Sequence, residues 1–201
     1  MTSTNYLEIE AKLYVPNLGL VARKLSDLGA PLIAPRVFER NVRYENTACT
    51  LTEQGIVVRL RQDSRVRLTY KESMQAIDED FVARFEAEVE VDDFDAMQVI
   101  LSKLGFHPHL IYEKYRTTYQ LDDTEIVLDE LPYGNFVEIE GAPDAINGVI
   151  QQLNLESATH FTTNYVTLFD NVKRNLGLSM NDLTFNNFEG INVPASAFDF
   201  S

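Results

Sequence analysis

Polar and apolar positions alternate along much of this chain with a period of two. Tyr6–Val15 (YLEIEAKLYV) puts Leu7, Ile9, Ala11 and Leu13 on one face of an extended segment and Glu8, Glu10 and Lys12 on the other, because successive strand side chains point to opposite faces. The same period runs from Val37 to Val91 in short stretches broken by Asn46, Gly55, Asp63-Ser64 and an acidic loop at Gln75–Asp80. It returns at Ile111–Leu121, Glu125–Glu130 and Phe136–Gly141. Helical spacing interrupts it. Asn17–Gly29 carries Leu18, Val21, Leu25 and Leu28 on one stripe, and Asp92–Gly105 is acidic at its start and ends in Lys103 and Gly105, as the helix dipole and glycine caps favour. Two further helices are predicted at Pro143–Leu153 and around Thr163–Leu176. About eight strands in a mostly antiparallel order predict an α+β fold, a closed antiparallel eight-stranded β-barrel with helices packed outside.

The 201 residues suit one domain, read here as residues 1–178, with a C-terminal tail, 179–201, that packs on it. That tail mixes scattered aromatics with Asn, Gly and Pro and has no clean period. A formal net charge of −14 argues against a general nucleic-acid or anionic-membrane binder. A polyanionic ligand would therefore need a local basic site. Cys49 stands alone, so no intramolecular disulfide framework or cysteine zinc site exists, and a reducing compartment is expected. Without a basic-then-apolar leader or an apolar run of membrane length, the expectation is a cytoplasmic protein with no membrane and no nucleic-acid partner. His107-Pro108-His109 reads as a loop, and the histidines lack the spacing and partners of a metal site.

The polar faces of the strands carry charge sorted by sign. Glu8/Glu10, Glu86/Glu88/Glu90 and Glu138/Glu140 are acidic sets, Arg59/Arg61 and Lys114/Arg116 are basic ones, and Lys12 and Arg84 accompany acidic pairs. Arg67, Thr69 and Lys71 also share a face, and Asp129 lies on a later strand. Solubility alone does not sort charges in this way. In a barrel of about eight strands alternate residues point inward, into a space wide enough for side chains or one small ligand. Charges there cost several kcal/mol each unless paired or bound to an ion. A polyphosphate with divalent cations satisfies both sets, since Arg and Lys bind phosphate oxygens and carboxylates hold hard cations.

The motif Glu8-Ile9-Glu10-Ala11-Lys12, followed in order by VVRLR, RLTYK, RFEAEVE, EKYR, IVLDE and FVEIEG, resembles the CYTH domain. This is the superfamily of triphosphate tunnel metalloenzymes, which includes class IV adenylate cyclases, thiamine triphosphatases and inorganic triphosphatases. The resemblance runs from about Tyr6 to Tyr165. It implies a tunnel with inward charged faces, a small-molecule triphosphate partner, and Mg²⁺ or Mn²⁺. It places Lys12, Arg59, Arg61, Lys71, Arg84, Lys114 and Arg116 at triphosphate-contacting positions. Glu8, Glu10, Asp129, Glu138 and Glu140 fall at metal-linked positions, with Glu86, Glu88 and Glu90 as further candidates. One departure falls at Phe38–Asn46, where the family often has an Asp and aromatics and this chain has Asn41 and Arg43.

Three functions are compatible with this pattern. The first is metal-dependent hydrolysis of inorganic or small organic triphosphate to orthophosphate. Lys12 would polarise the terminal phosphoryl group or stabilise the leaving group, and a second metal or a carboxylate, Glu88 or Glu138, would position the water. The second is a cyclase that converts ATP to cyclic AMP and pyrophosphate. The third is a non-enzymatic polyphosphate-binding module, which has less use for so many carboxylates. No Gly-rich phosphate loop or nucleophile elbow is present.

Overall fold

The computed structural model of the protein describes residues 7–73 and 82–198. Tyr6 and the acidic loop at Gln75–Asp80 lie outside the described residues. The strands among them are β1 (Leu7–Tyr14), β2 (Leu32–Asn46), β3 (Ile56–Gln62), β4 (Val66–Ser73), β5 (Val82–Val91), β6 (Phe106–Leu121), β7 (Thr124–Leu131), β8 (Gly134–Glu140) and the short β9 (Thr159–His160). Hydrogen bonding orders them β5-β4-β3-β2-β6-β7-β8-β1, and a β5–β1 pairing closes the ring. All the pairings are antiparallel. The barrel is thus eight-stranded and closed, with β9 as an extra strand. Closure is completed unevenly: opposite β8, Leu7–Glu10 of β1 pair with β5, whereas Leu13 and Tyr14 pair with β9.

The helices form where the sequence predicts them, as α1 (Leu18–Asp27), α3 (Phe94–Lys103), α4 (Pro143–Gln152) and α5 (Tyr165–Leu176). Asn17, Asp93 and Asn164 cap their helices by accepting backbone N–H bonds. Gly29, Gly105 and Gly177 follow helix ends at positive φ, a conformation that costs glycine no Cβ clash. A single-turn helix, α2 (Thr50–Glu53), had no periodic signal. Buried Glu45 organises it, accepting bonds from the backbone of Leu51 and Thr52 and from the Thr52 hydroxyl.

The apolar core lies outside the barrel wall. Ala11, Leu13, Ile126, Leu128, Val137 and Ile139 on the outer faces of β1, β7 and β8 pack under α1 and α4 with Val21, Leu25, Ile146 and Val149. Val42, Leu60 and Leu101 anchor a second cluster beneath α3. A third joins α5 to the tail through Leu168, Phe169, Val172, Leu183, Phe188 and Phe198. Outward burial of one face turns the other face into the lumen, so the charged alternation points inward.

Two strands exceed the sequence-based bounds. β2 begins at Leu32 rather than Val37, and β6 begins at Phe106 rather than Ile111. His107-Pro108-His109 is therefore strand, which corrects the loop reading. Pro108 is accommodated because the β2–β6 register slips between Arg43 and Tyr44 beside it, where a missing N–H costs no regular ladder bond. The first half of β6 has its other edge covered by the tail. Leu183 lies parallel to Tyr112 and exchanges backbone bonds with Ile111 and Glu113, each 2.9 Å. Asp182 Oδ1 accepts from Ile111 N–H, and Glu113 Oε2 accepts from Phe185 N–H.

Candidate active site in the charged lumen

Strand order converts sequence sorting into two facing arcs. The acid-rich strands β7, β8, β1 and β5 are contiguous around the barrel, and the base-bearing strands β4, β3, β2 and β6 form the rest. The exceptions neutralise their neighbours. On the acidic arc, Lys12 Nζ lies 3.1 Å from Glu138 Oε1 and 3.4 Å from Glu10 Oε1, and Arg84 lies 3.5 Å from Glu10. On the basic arc, Glu39 sits within 4.0 Å of Arg61, Lys114 and Arg116.

Arg116 forks onto Asp129, with Nε to Oδ1 at 2.7 Å and one terminal nitrogen to Oδ2 at 2.6 Å, and that nitrogen also reaches Glu138 at 2.7 Å. Lys114 donates to Asp129 Oδ2 at 2.9 Å, and the Tyr165 hydroxyl donates to the same oxygen at 3.0 Å. Arg59 donates to Tyr112 and Thr69 and lies near Glu86 and Glu88, while Arg61 donates to Asn41. Lys71 bridges Glu8 and Glu86.

Three carboxylates, Glu10, Glu138 and Glu140, each bring an oxygen within 4.8 Å of the others. Their environments differ. Burial would raise all three, but Lys12 with Arg84 and Lys71 together outweigh it at Glu10, and Lys12 with Arg116 and Lys114 at Glu138, so both are held below the ordinary carboxylate value. Glu140 makes no direct ion pair among the described residues; burial and then Glu10 and Glu138 push it up to about 7, against a smaller opposing pull from Arg116. Converging oxygens with one unneutralised member suit a hard divalent cation. The residues present fit Mg²⁺ or Mn²⁺.

The other predicted carboxylates are placed differently. Glu8 shares a hydrogen bond with Glu86 beside Lys71, and burial raises it to about 8 while Glu86 falls to about 2. Asp129 is fully buried and its oxygens already accept four donors. Glu88 accepts from Thr69 at 2.8 Å near the open mouth, and Glu90 pairs with Arg65 in solvent. The predicted basic residues, Lys12, Arg59, Arg61, Lys71, Arg84, Lys114 and Arg116, all line one lumen cavity with Glu10, Glu138 and Glu140.

Three site groups escaped the sequence reading. Glu39 shares the inward period of β2 with Asn41, so its alternation was a usable signal. Tyr112 shares the inward face of Lys114 and Arg116; burial would raise its hydroxyl, but Arg59, Arg61 and Lys114 bring it down to about 8. Tyr165 had no such signal, since only the docking of α5 brings its ring over Lys12 Nζ (4.7 Å) and Lys114 Nζ (5.5 Å). Beyond it, Tyr14, Tyr133, Phe136, Phe161 and Phe198 pack edge to face as an aromatic floor. Tyr165→Phe is expected to remove one donor from Asp129 at a cost of about 1 kcal/mol, read as a melting temperature lower by roughly 2–4 °C. An unchanged melting curve would mean that the bond contributes nothing.

A closed antiparallel barrel whose lumen sets a basic arc against clustered carboxylates is a charged β-tunnel. The chain belongs to the CYTH domain family, whose model matches residues 6–167. A Methanocaldococcus jannaschii protein named as a candidate adenylate cyclase is 29% identical over 143 residues, which span 70% of this chain and 80% of that one. A Vibrio parahaemolyticus structure, also named as a candidate adenylate cyclase, superposes with a TM-score of 0.70 at 17% identity, covering 83% of this chain and 99% of its own. A Hippeastrum structure, described as a candidate adenylyl cyclase with dominant triphosphatase activity, gives a TM-score of 0.62 at 18% identity, covering 81% and 95%. Among the described residues no helix is long and apolar enough to cross a membrane.

Proposed function

We propose that this protein is a divalent-metal-dependent triphosphatase that hydrolyses the terminal anhydride of inorganic triphosphate or a small organic triphosphate. The observation that carries the reading is the facing of the basic arc and the Glu10, Glu138, Glu140 cluster across one cavity. Buried donors of the lumen, Asn41 Nδ2, Arg59 Nε and Arg84 Nε, have no hydrogen-bond partner among the described residues. Phosphate oxygens supply such acceptors.

Arg59, Arg61, Lys71, Lys114 and Arg116 bind the chain of phosphates and hold the terminal phosphorus in line with water. Lys12 acts as a fixed cation: burial would lower its pKa, but Glu10 and Glu138 raise it, so it neutralises charge without giving up its proton. Glu10, Glu138 and Glu140 hold the metal, which when bound supplies Lewis-acid neutralisation of phosphate charge. Asp129 is assigned to positioning Lys114 and Arg116 rather than to metal. Glu8 orients Lys71, and Glu88 steadies Arg59 and Thr69 at the mouth. Water attacks the terminal phosphorus, the bond to the bridging oxygen breaks, and orthophosphate and diphosphate leave.

A cyclase is the second reading, favoured by the name of the Methanocaldococcus relative. Phosphorus NMR of products formed from triphosphate, thiamine triphosphate and ATP with Mg²⁺ or Mn²⁺ separates them. Orthophosphate as the primary product is expected; cyclic AMP and pyrophosphate from ATP would replace the triphosphatase reading with the second. Turnover that survives chelation would remove the metal from either.

A further inference from the structure

A side cavity of about 140 Å³ lies beside the lumen, between the barrel wall and the start of α5. It shares Arg43, Lys71, Arg84 and Asn164 with the lumen, so the two spaces adjoin across these side chains. Three cations line it against one carboxylate, Asp170, which is exposed and tied to Lys173 at 2.8 Å. No aromatic side chain lines it among the described residues, so it offers no stacking surface for a base.

Arg43 distinguishes this cavity. It is half-buried, it makes no hydrogen bond or ion pair among the described residues, and its strand partner across the ladder is Arg59. Like charges directly opposite each other repel, and a desolvated cation without a counter-ion is costly. Burial lowers the Arg43 guanidinium below its ordinary value, and Tyr112, Glu45 and Asp170, none of them in ion-pair or hydrogen-bond contact with it, offset this only in part. The other lumen cations all have acidic partners. Arg43 is therefore the lumen cation without a direct ion pair among the described residues.

We propose that the side cavity is an anion subsite that continues the phosphate path, with Arg43 as its binding group, and that it takes the fourth phosphate of a linear inorganic polyphosphate. The inference rests on the triphosphate reading of the lumen and narrows it: an organic substituent at that end meets cations and no stacking surface, whereas a further phosphate meets a free guanidinium.

The test is equilibrium binding by calorimetry in metal-chelated buffer, with linear triphosphate and linear tetraphosphate as ligands. The wild-type protein is expected to prefer tetraphosphate by about tenfold, the effect of one added charge-assisted contact. Arg43→Ala is expected to bring that preference to about one while changing triphosphate affinity less than twofold. The substitution removes no partnered group, and Arg43→Gln repeats the test with most of the volume kept. Asp170→Asn, on an exposed residue, is expected to increase the preference about twofold by removing the cavity's carboxylate. Equal loss of both ligands in Arg43→Ala, a preference unchanged by it, or no binding of tetraphosphate would overturn the subsite. Hydrolysis is read separately: wild-type protein that binds both anions with the expected preference but releases no orthophosphate would sink the triphosphatase reading and leave the subsite standing.

Discussion

Glu138→Gln is expected to lower kcat on triphosphate by on the order of 10²–10³-fold, with a smaller change in KM. The carboxylate, on β8 within the acidic arc, reaches Arg116 of the basic arc. It accepts from Arg116 at 2.7 Å, faces Lys12 at 3.1 Å, and contributes an oxygen to the cluster with Glu10 and Glu140. An amide keeps the shape and one acceptor but removes the charge, so metal affinity falls and Lys12 loses half of its acidic neighbourhood. Lys12 and Arg116 lose a buried counter-ion at the same time, and the depressed pKa of Glu138 shows that this outweighs the relieved repulsion from Glu10 and Glu140, so the melting temperature is expected to fall. Arg59→Ala is the contrast: it removes a phosphate contact made in ground and transition states alike, so KM rises more than kcat falls. Steady-state kinetics across a metal titration distinguish the two patterns. Glu138→Gln with wild-type kinetics at every metal concentration would mean that the cluster has no part in turnover.

The second large effect is on stability. Metal-free protein is expected to melt highest near pH 5 and to lose stability as the pH rises to 8, the reverse of the usual plateau. Glu140 and Glu8 have folded values of about 7 and about 8 against an ordinary 4.5. A carboxyl raised on folding binds its proton more tightly in the native state. Stability is therefore retained below 4.5 and lost as the pH climbs through the folded value. The opposite shifts act below that window. Glu45 and Glu86 lie at about 2, so their contribution is complete above 4.5 and disappears as the pH falls toward 2. A tenfold difference in proton affinity between the folded and unfolded chain corresponds to about 1.36 kcal/mol. With Glu8 a third exposed and paired to Glu86, the combined loss from pH 5 to 8 is discounted to about 3 kcal/mol. That is roughly 10 °C in melting temperature. Mn²⁺ at millimolar concentration is expected to flatten the fall, because it occupies the deprotonated cluster. Calorimetry in chelator, in Mn²⁺ and in monovalent salt of equal ionic strength reads this directly. A melting temperature that is flat or rising from pH 5 to 8 in chelator would refute it.

Much of this architecture was legible in the chain because a closed sheet repeats a simple rule. The period-2 alternation of Glu8/Glu10/Lys12, Arg59/Arg61, Lys114/Arg116 and Glu138/Glu140 follows from backbone geometry that no tertiary contact can change. The sorting of sign by strand is read directly from the residues at those positions. The helix caps at Asn17, Asp93 and Asn164 are equally local, since a side chain two or three residues away satisfies the free N–H groups. By itself, then, the sequence determined which residues share a face, where four helices begin and end, and that a basic set and an acidic set belong to one site.

Tertiary structure decided how those sets meet. Strand order places β7, β8, β1 and β5 side by side, so acids from distant segments form one arc. That order depends on long-range pairings such as Glu10 opposite Glu140, and local pattern does not encode them. The division of the carboxylates has the same origin. Glu140 lacks a direct ion pair whereas Asp129 is saturated by Lys114 and Arg116, a difference set by which charges face each other across the lumen. Pro108 within a strand reads as a break until the slipped register beside Tyr44 is seen. Tyr165 reads as a helix residue until α5 docks against the end of the barrel and carries its ring to Lys12. Electrostatic environment is a property of distances in space, and the chain fixes those only once the barrel has closed.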